Sequence, residues 1–211
     1  MLLYYITDRR QFPGDESSRR RALLAKITES AKCGIDLIQL REKDLSTREL
    51  EELAHEAVRV VRGNSEPTRL LINSRTDVAI ACGADGIHLR SEDVSPADVR
   101  LAWSAANSNP GKPPYVGVSC HTAEDVARAV QQGADFVVFA PVFEKKSVRD
   151  AAPAGLAALK DVCRQNIPVI ALGGVTLANA QSCIEAGAAG VAGIRLFQEN
   201  DIADILRKLR G

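Results

Sequence analysis

A chain of 211 residues with 45% apolar and 26% charged side chains can bury a sizeable core without the help of disulfides or metal. Its 27 basic and 27 acidic side chains cancel, with no long run of one sign, which argues against nucleic acid or an anionic membrane surface as the main partner. Five cysteines (Cys33, Cys82, Cys120, Cys163 and Cys183) lie far apart with no CxxC pair, and no apolar stretch approaches the roughly 18 residues of a membrane span. The chain enters a strand-like run, Leu2-Leu3-Tyr4-Tyr5-Ile6, with no basic leader or cleavage signal before it, so the reading is a reduced, cytoplasmic protein.

Along the chain a short phrase recurs. Cys33-Gly34-Ile35-Asp36-Leu37-Ile38 is followed by Cys82-Gly83-Ala84-Asp85-Gly86-Ile87, then by Gln132-Gly133-Ala134-Asp135-Phe136-Val137, and last by Ala186-Gly187-Ala188-Ala189-Gly190-Val191. Each glycine follows a helical pattern, where a left-handed backbone ends a helix, and each precedes a short apolar run that reads as a strand buried on both faces. Four further strand-like runs lie between the phrases, at residues 3–6, 69–72, 115–118 and 168–172. Helical patterns follow them: 47–61, with Leu50, Leu53, Ala54, Ala57 and Val58 on one stripe; 123–131, opened by Thr122 with Asp125 three residues on; and 177–186, opened by Thr176. Residues 107–114 read as a loop at the end of the barrel that serves stability. Eight strands alternating with helices, in four units of about 50 residues, predict an α/β fold: a single (β/α)₈ TIM barrel over residues 1–211, with an eight-stranded parallel sheet.

Function in such a barrel gathers where the strands end. Gln39, Arg41 and Lys43 alternate at the end of strand 2, and period-two spacing points them to one side. An amide and two cations suit pyrophosphate oxygens; an ion pair of Arg41 with Glu42 or Asp44 is the plain structural reading. Glu92-Asp93 follows strand 4. Ser119 and His121 close strand 5, where an imidazole can move protons near neutral pH. His88 reads as a packed barrel residue and His55 as an exposed helical one. Gly173-Gly174 and Gly193-Ile194-Arg195 follow strands 7 and 8, where glycines let backbone N–H groups approach a phosphate.

The segments Gln39-Leu40-Arg41-Glu42-Lys43-Asp44, Asn73, Gly83-Ala84-Asp85-Gly86-Ile87-His88-Leu89, Gly117-Val118-Ser119-Cys120-His121-Thr122, Pro141-Val142-Phe143 and Gly173-Gly174-Val175 together resemble the thiamine-phosphate synthase family, which also contains the thiazole tautomerases. The resemblance runs over almost the whole chain. It implies phosphorylated small-molecule substrates, with Gln39, Arg41, Lys43, Asn73, Ser119, Lys145, Ser147, Gly173, Gly174, Gly193 and Arg195 binding them, Arg41, Lys43 and His121 in catalytic roles, Asp93 as a ligand for Mg²⁺, and a homodimer. The chain departs from the family pattern in two places. Ser74 stands where a second metal carboxylate belongs, which puts Mg²⁺ in question, and Val148 stands where the family carries a lysine in the loop after strand 6. The resemblance implies coupling of hydroxymethylpyrimidine pyrophosphate to thiazole phosphate, giving thiamine phosphate and pyrophosphate. The departures bring in two alternatives: a metal-free thiazole tautomerase with His121 as proton carrier, and a non-catalytic protein that binds thiazole phosphate or thiamine phosphate.

Overall fold

The glycine of each recurring phrase takes a backbone conformation that a Cβ resists, with φ of +79° at Gly34, +67° at Gly83, +78° at Gly133 and +102° at Gly187. In this computed structural model, which describes residues 1–106, 112–144 and 152–211, each of these glycines turns the chain from a helix into a strand. The elements run β1 (Leu2–Ile6), α1 (Glu16–Lys32), β2 (Leu37–Leu40), α2 (Thr47–Asn64), β3 (Arg69–Asn73), α3 (Thr76–Cys82), β4 (Gly86–Leu89), α4 (Pro96–Ala106), β5 (Tyr115–Cys120), α5 (Ala123–Gln131), β6 (Phe136–Phe139), α6 (Gly155–Val162), β7 (Val169–Ala171), α7 (Ala180–Glu185), β8 (Gly190–Gly193), α8 (Arg195–Gln198) and α9 (Ile202–Arg210). The strands close in sequence order into one barrel, every neighbouring pair parallel.

The aspartates of the recurring phrase have a shared task. Asp36 accepts the backbone N–H of Leu3 at 2.7 Å, Asp85 that of Leu70 at 2.8 Å and Asp135 that of Val116 at 2.7 Å. Each carboxylate thus reaches from the foot of its own strand and clasps the preceding strand from below, satisfying a donor at the start of the ladder. Arg210 of α9 pairs with Asp36, and Arg100 of α4 pairs with Asp135 at 2.8 Å, so two outer helices fasten to the same clasps.

Strand periodicity separates two cores. Tyr4, Ile6, Leu37, Leu71, Phe136, Val138, Ile170 and Ala192 fill the barrel, while the alternate strand residues pack outward against the helices. Helix α5 opens at Thr122 as the sequence predicts, with reciprocal Thr122–Asp125 capping. Helix α7 does not open at Thr176. Asn179 Oδ1 accepts the Thr176 N–H at 2.7 Å, which ties 176–179 into a turn, and the helix starts at Ala180. Residues 112–114 of the expected loop lack regular structure, and 107–111 lie outside the described residues. Among the described residues, no helix is long and apolar enough to cross a membrane.

Candidate active site

The rim at the C-terminal ends of the strands begins with a buried ionic knot. Thr7 Oγ1 donates to Glu42 Oε1 at 2.6 Å, and the Arg9 backbone N–H and Nη1 reach Glu42 Oε2 at 3.0 and 3.1 Å. Arg9 also forks onto Asp44 at 2.7 and 3.0 Å. Burial pushes the Glu42 carboxyl up, against the opposing hydrogen bonds from Thr7 and Arg9, whereas the Asp44 carboxylate is held down by the Arg9 guanidinium. The Arg41 N–H donates to Thr7 Oγ1 at 2.9 Å, so the backbone of the β2 end is pinned to β1.

This knot decides the state of the cations predicted at the β2 end. Glu42 and Asp44 are engaged by Arg9 and do not pair with Arg41; among the described residues neither Arg41 nor Lys43 lies within ion-pair distance of a carboxylate. Burial lowers the Arg41 pKa, partly offset by the charges of Asp8 and Glu42. The Lys43 ammonium is pushed down by the charge of Arg41, by burial and by Arg90. The repulsion of Lys43 by Arg41 and Arg90 marks cationic side chains crowded at this rim, an arrangement that a bound anion would relieve. Arg90 is an addition to the residues expected at the site. It follows β4 two positions after the inward-facing His88, so the period-two pattern that finds Arg41 also contains the signal for Arg90.

Inside the barrel, directly below this rim, four side chains from β1, β2, β4 and β5 are joined in one chain of hydrogen bonds. Gln39 Nε2 lies 2.9 Å from the Tyr4 hydroxyl, the hydroxyl lies 3.2 Å from His88 Nδ1, and His88 Nε2 lies 2.8 Å from Ser119 Oγ. Tyr4, Gln39 and His88 are buried, and Ser119 is half-buried beneath the mouth. Burial, helped by the Arg41 charge and opposed by that of Asp93, drives the His88 pKa down to about 3. His88 is therefore packed as the sequence predicts and is also a member of a polar network. Asn73, in register with His88, sits half-buried at the end of β3 with its amide 3.3 Å from Ser74 Oγ.

His121 is exposed at the end of β5. Its backbone N–H donates to Asp125 at 3.0 Å, and Nδ1 lies 2.7 Å from the Ala140 carbonyl oxygen, which makes Nδ1 the donor and leaves Nε2 as the unprotonated nitrogen of the neutral ring. Cys120 beside it is buried among the outward-facing core residues, and burial pushes its thiol up to about 12, which disfavours the reactive thiolate.

Asp93, the expected Mg²⁺ ligand, is held by arginine. Its Oδ2 accepts the Arg90 backbone N–H at 2.8 Å, and its Oδ1 takes Arg90 Nε at 3.1 Å and Nη2 at 2.9 Å. Burial raises its pKa, but hydrogen bonds from the Arg90 side chain and backbone and from Ser74 outweigh that and hold it below the ordinary range. Ser74, at φ +59°, brings a neutral hydroxyl, and the Arg75 cation beside it forks onto Asp77. The described residues contain no group of three or more carboxylate, imidazole or thiolate side chains arranged to hold a metal. Mg²⁺ asks for charged oxygens with free lone pairs in an octahedron, and one carboxylate already carrying three N–H donors does not fit it.

Across the mouth, Gly173 and Gly174 follow β7 with φ of +95° and +67°. A Cβ on Gly174 would lie 2.6 Å from the Glu144 carbonyl oxygen, so only glycine lets this turn pack against the end of β6. Gly193 ends β8, and the short helix α8 begins two residues later. Arg195, the first residue of α8, is exposed and reaches Glu199 at 4.0 Å, so it does not fill the barrel mouth. Lys145, Ser147 and Val148 of the β6 loop lie outside the described residues.

Fold and site together define a parallel (β/α)₈ barrel with a cationic cluster on one side of its C-terminal mouth and a pair of glycine turns on the other. The family model described as thiamine monophosphate synthase matches residues 3–197, and the chain belongs to that family. The thiamine-phosphate synthase of Syntrophomonas wolfei is 36% identical over 211 residues, covering 99% of this chain and 94% of that relative. The thiamine-phosphate synthase of Roseiflexus sp. is 37% identical over 193 residues, covering 90% of this chain and 75% of the relative. Among solved structures, the thiamine phosphate pyrophosphorylase of Pyrococcus furiosus superposes with a TM-score of 0.80 at 28% identity, covering 99% of this chain and 93% of its own.

Proposed function

We propose that this barrel is a thiamine-phosphate synthase, a transferase that joins a hydroxymethylpyrimidine pyrophosphate to a thiazole phosphate. In the reaction, the bond between the pyrimidine methylene carbon and the pyrophosphate oxygen breaks and the oxygen keeps the electron pair. The lone pair of the thiazole ring nitrogen forms the new carbon–nitrogen bond. Thiamine phosphate and pyrophosphate leave.

The observation that carries this reading is the cation cluster of Arg41 and Lys43, neither of them ion-paired with a carboxylate among the described residues, Arg9 having taken Glu42 and Asp44. Fixed positive charge aimed at a leaving group that gains negative charge lowers the barrier without any reorganisation at the moment of reaction. Arg41 and Lys43 receive the pyrophosphate, with Arg90 beside them and Gln39, Asn73 and Ser119 lining the floor. Gly173, Gly174 and Gly193 present backbone N–H groups to the phosphate of the thiazole across the mouth. Holding both partners in one mouth supplies the alignment of nitrogen and carbon that a bimolecular reaction in water lacks. Coupling needs no general base, so His121, the proton carrier of a tautomerase, has no step. The names of the relatives likewise favour coupling over tautomerisation or simple binding.

The test is direct. Purified protein given both substrates should form thiamine phosphate and release pyrophosphate, and Arg41→Ala and Lys43→Ala should each depress turnover more than binding of the thiazole phosphate. Absence of thiamine phosphate at enzyme concentrations comparable to substrate, with and without added divalent metal, overturns the proposal.

A further inference from the structure

The hydrogen bonds under the mouth have a direction. A side-chain amide nitrogen donates only, so the Tyr4 oxygen accepts from Gln39 Nε2 at 2.9 Å. The single phenolic hydrogen then goes to the other partner within reach, His88 Nδ1 at 3.2 Å. With Nδ1 accepting, the neutral ring carries its hydrogen on Nε2 and donates it to Ser119 Oγ at 2.8 Å. Ser119 Oγ, occupied as an acceptor from below, has its own hydrogen left for a group above it.

From this chain we infer that His88 is a positioning residue, which with Tyr4 and Gln39 orients the Ser119 hydroxyl as a hydrogen-bond donor to an acceptor atom of the substrate, either a phosphate oxygen or a ring nitrogen. The inference rests on the coupling reaction proposed above for its kinetic consequences but not for its hydrogen positions. Two features support it beyond the distances. All four side chains come from inward-facing positions on different strands, so the network crosses the barrel and cannot turn without moving the sheet. The surroundings also keep the ring uncharged. Tyr4 and Phe136 pack against it, at ring-centroid separations of 5.8 and 6.2 Å, and the Arg41 cation disfavours a second proton, while Asp93 pulls weakly the other way. A ring that gained a proton would have no acceptor left for Tyr4, and the chain would break. The neutral ring is thus what transmits the order from Gln39 to Ser119.

The experiment has two arms. In the first, ¹⁵N-labelled histidine in the intact protein reports which ring nitrogen carries the hydrogen. His88 should show a hydrogen on Nε2, unchanged between pH 5 and 9 (His55 and His121 serve as internal comparison). A hydrogen on Nδ1 would mean that the chain runs the other way, and this or a ring that titrates in that range overturns the inference. In the second, substitutions are read by kcat and KM and by calorimetric binding of thiamine phosphate. Tyr4→Phe keeps the packing and removes the donor to Nδ1. His88→Leu removes both ring contacts, and His88→Gln keeps a donor near the Nε2 position. Loss of one such bond to a substrate group is expected to cost about tenfold. If His88 acts through Ser119, then Ser119→Ala combined with His88→Leu is no worse than Ser119→Ala alone, and His88→Gln recovers part of the loss. Fully additive effects, or equal loss in His88→Gln and His88→Leu, reject the positioning role. Should wild-type protein make no thiamine phosphate, the reaction assignment fails, and the labelled-histidine spectrum and the binding cycle still judge the hydrogen-bond chain.

Discussion

Arg9 and Glu42 meet across the β1–β2 seam, Nη1 3.1 Å from Oε2, with both side chains almost wholly buried. Their pairing governs residues that neither of them touches as a ligand. Because Glu42 turns into the wall, Arg41 and Lys43 on either side of it are left to the mouth, and positive charge accumulates where a pyrophosphate is expected.

Removing Glu42 should therefore injure stability and binding together. Glu42→Leu strands a buried guanidinium with Asp44 and Glu16 as its remaining partners, and breaking a buried pair from one side typically costs about 3–5 kcal/mol. Thr7→Val keeps the charges and removes one hydroxyl, for about 1 kcal/mol. Urea unfolding measures both, and titration with inorganic pyrophosphate should show weaker affinity for each: Thr7→Val removes the oxygen that accepts the Arg41 N–H, and Glu42→Leu removes the carboxylate that orients that hydroxyl.

Gly174 offers a way to separate the two sides of the mouth. Its left-handed φ opposes a side chain, and so does the Glu144 carbonyl oxygen, 2.6 Å from where a methyl group would sit. Gly174→Ala should destabilise the fold by more than about 1 kcal/mol and weaken thiazole phosphate binding, while pyrophosphate binding at Arg41 and Lys43 stays within about twofold of wild type. Equal loss at both ligands would contradict a division of labour between the two rims.

His88 makes stability sensitive to acid. Its folded pKa of about 3 lies below the ordinary histidine value, so between roughly pH 6.5 and 3 the unfolded chain binds a proton that the folded chain refuses. Stability is then fully present above the unfolded value and falls as pH drops through that window. Denaturant unfolding at pH 7 and at pH 4.5 should show this decline, and it should shrink in His88→Gln. An unchanged slope in the variant would place the acid sensitivity elsewhere.

The Arg90–Asp93 pair predicts how this site responds to divalent cations. Calorimetry or the electron spin resonance of Mn²⁺ should show no wild-type binding that depends on Asp93. Ser74→Asp combined with Arg90→Ala supplies a second carboxylate and frees the first, and this variant should gain a Mn²⁺ site. Wild-type binding abolished by Asp93→Asn would show instead that the ion displaces Arg90.

The barrel is legible in the sequence because its determinants are local. A glycine after each helix, a doubly buried strand after each glycine and a spacing of about 50 residues all lie within short windows, and the structure keeps them. The cations after β2 lie in an equally short window: alternation carries from Gln39 in the strand to Arg41 just past it, while Lys43 sits in the turn that follows, where strand alternation no longer decides direction. The features that escape such a reading depend on contacts between distant strands. Tyr4 and His88 are 84 positions apart and meet only because the sheet closes. Nothing in the local spacing says that Arg9, rather than Arg41, takes Glu42 and Asp44. The Arg90–Asp93 pair is local, three residues apart, but a carboxylate at that spacing fits a turn as well as a metal ligand. Helix α7 departs from its local signal: Thr176 is a good capping residue and Asn179 accepts its N–H, yet residues 177–179 form a turn and the helix begins only at Ala180.

The aspartate clasps leave one gap. Asp36, Asp85 and Asp135 each tie a strand to its neighbour, but the fourth phrase has Ala189 at that place and offers no carboxylate to β7. β7 is three residues long and meets β8 at Ile170↔Gly190 and Ala171↔Val191. The other end of this same seam carries Gly173, Gly174 and Gly193. A phosphate gripped by both turns would bridge the staves of the one repeated unit that has no aspartate peg beneath it. At its foot this seam is held by a backbone bond alone, Ala189 N–H to the Val169 carbonyl oxygen at 2.8 Å, so a ligand spanning the two turns would tie from the top a unit that its own side chains do not tie from below.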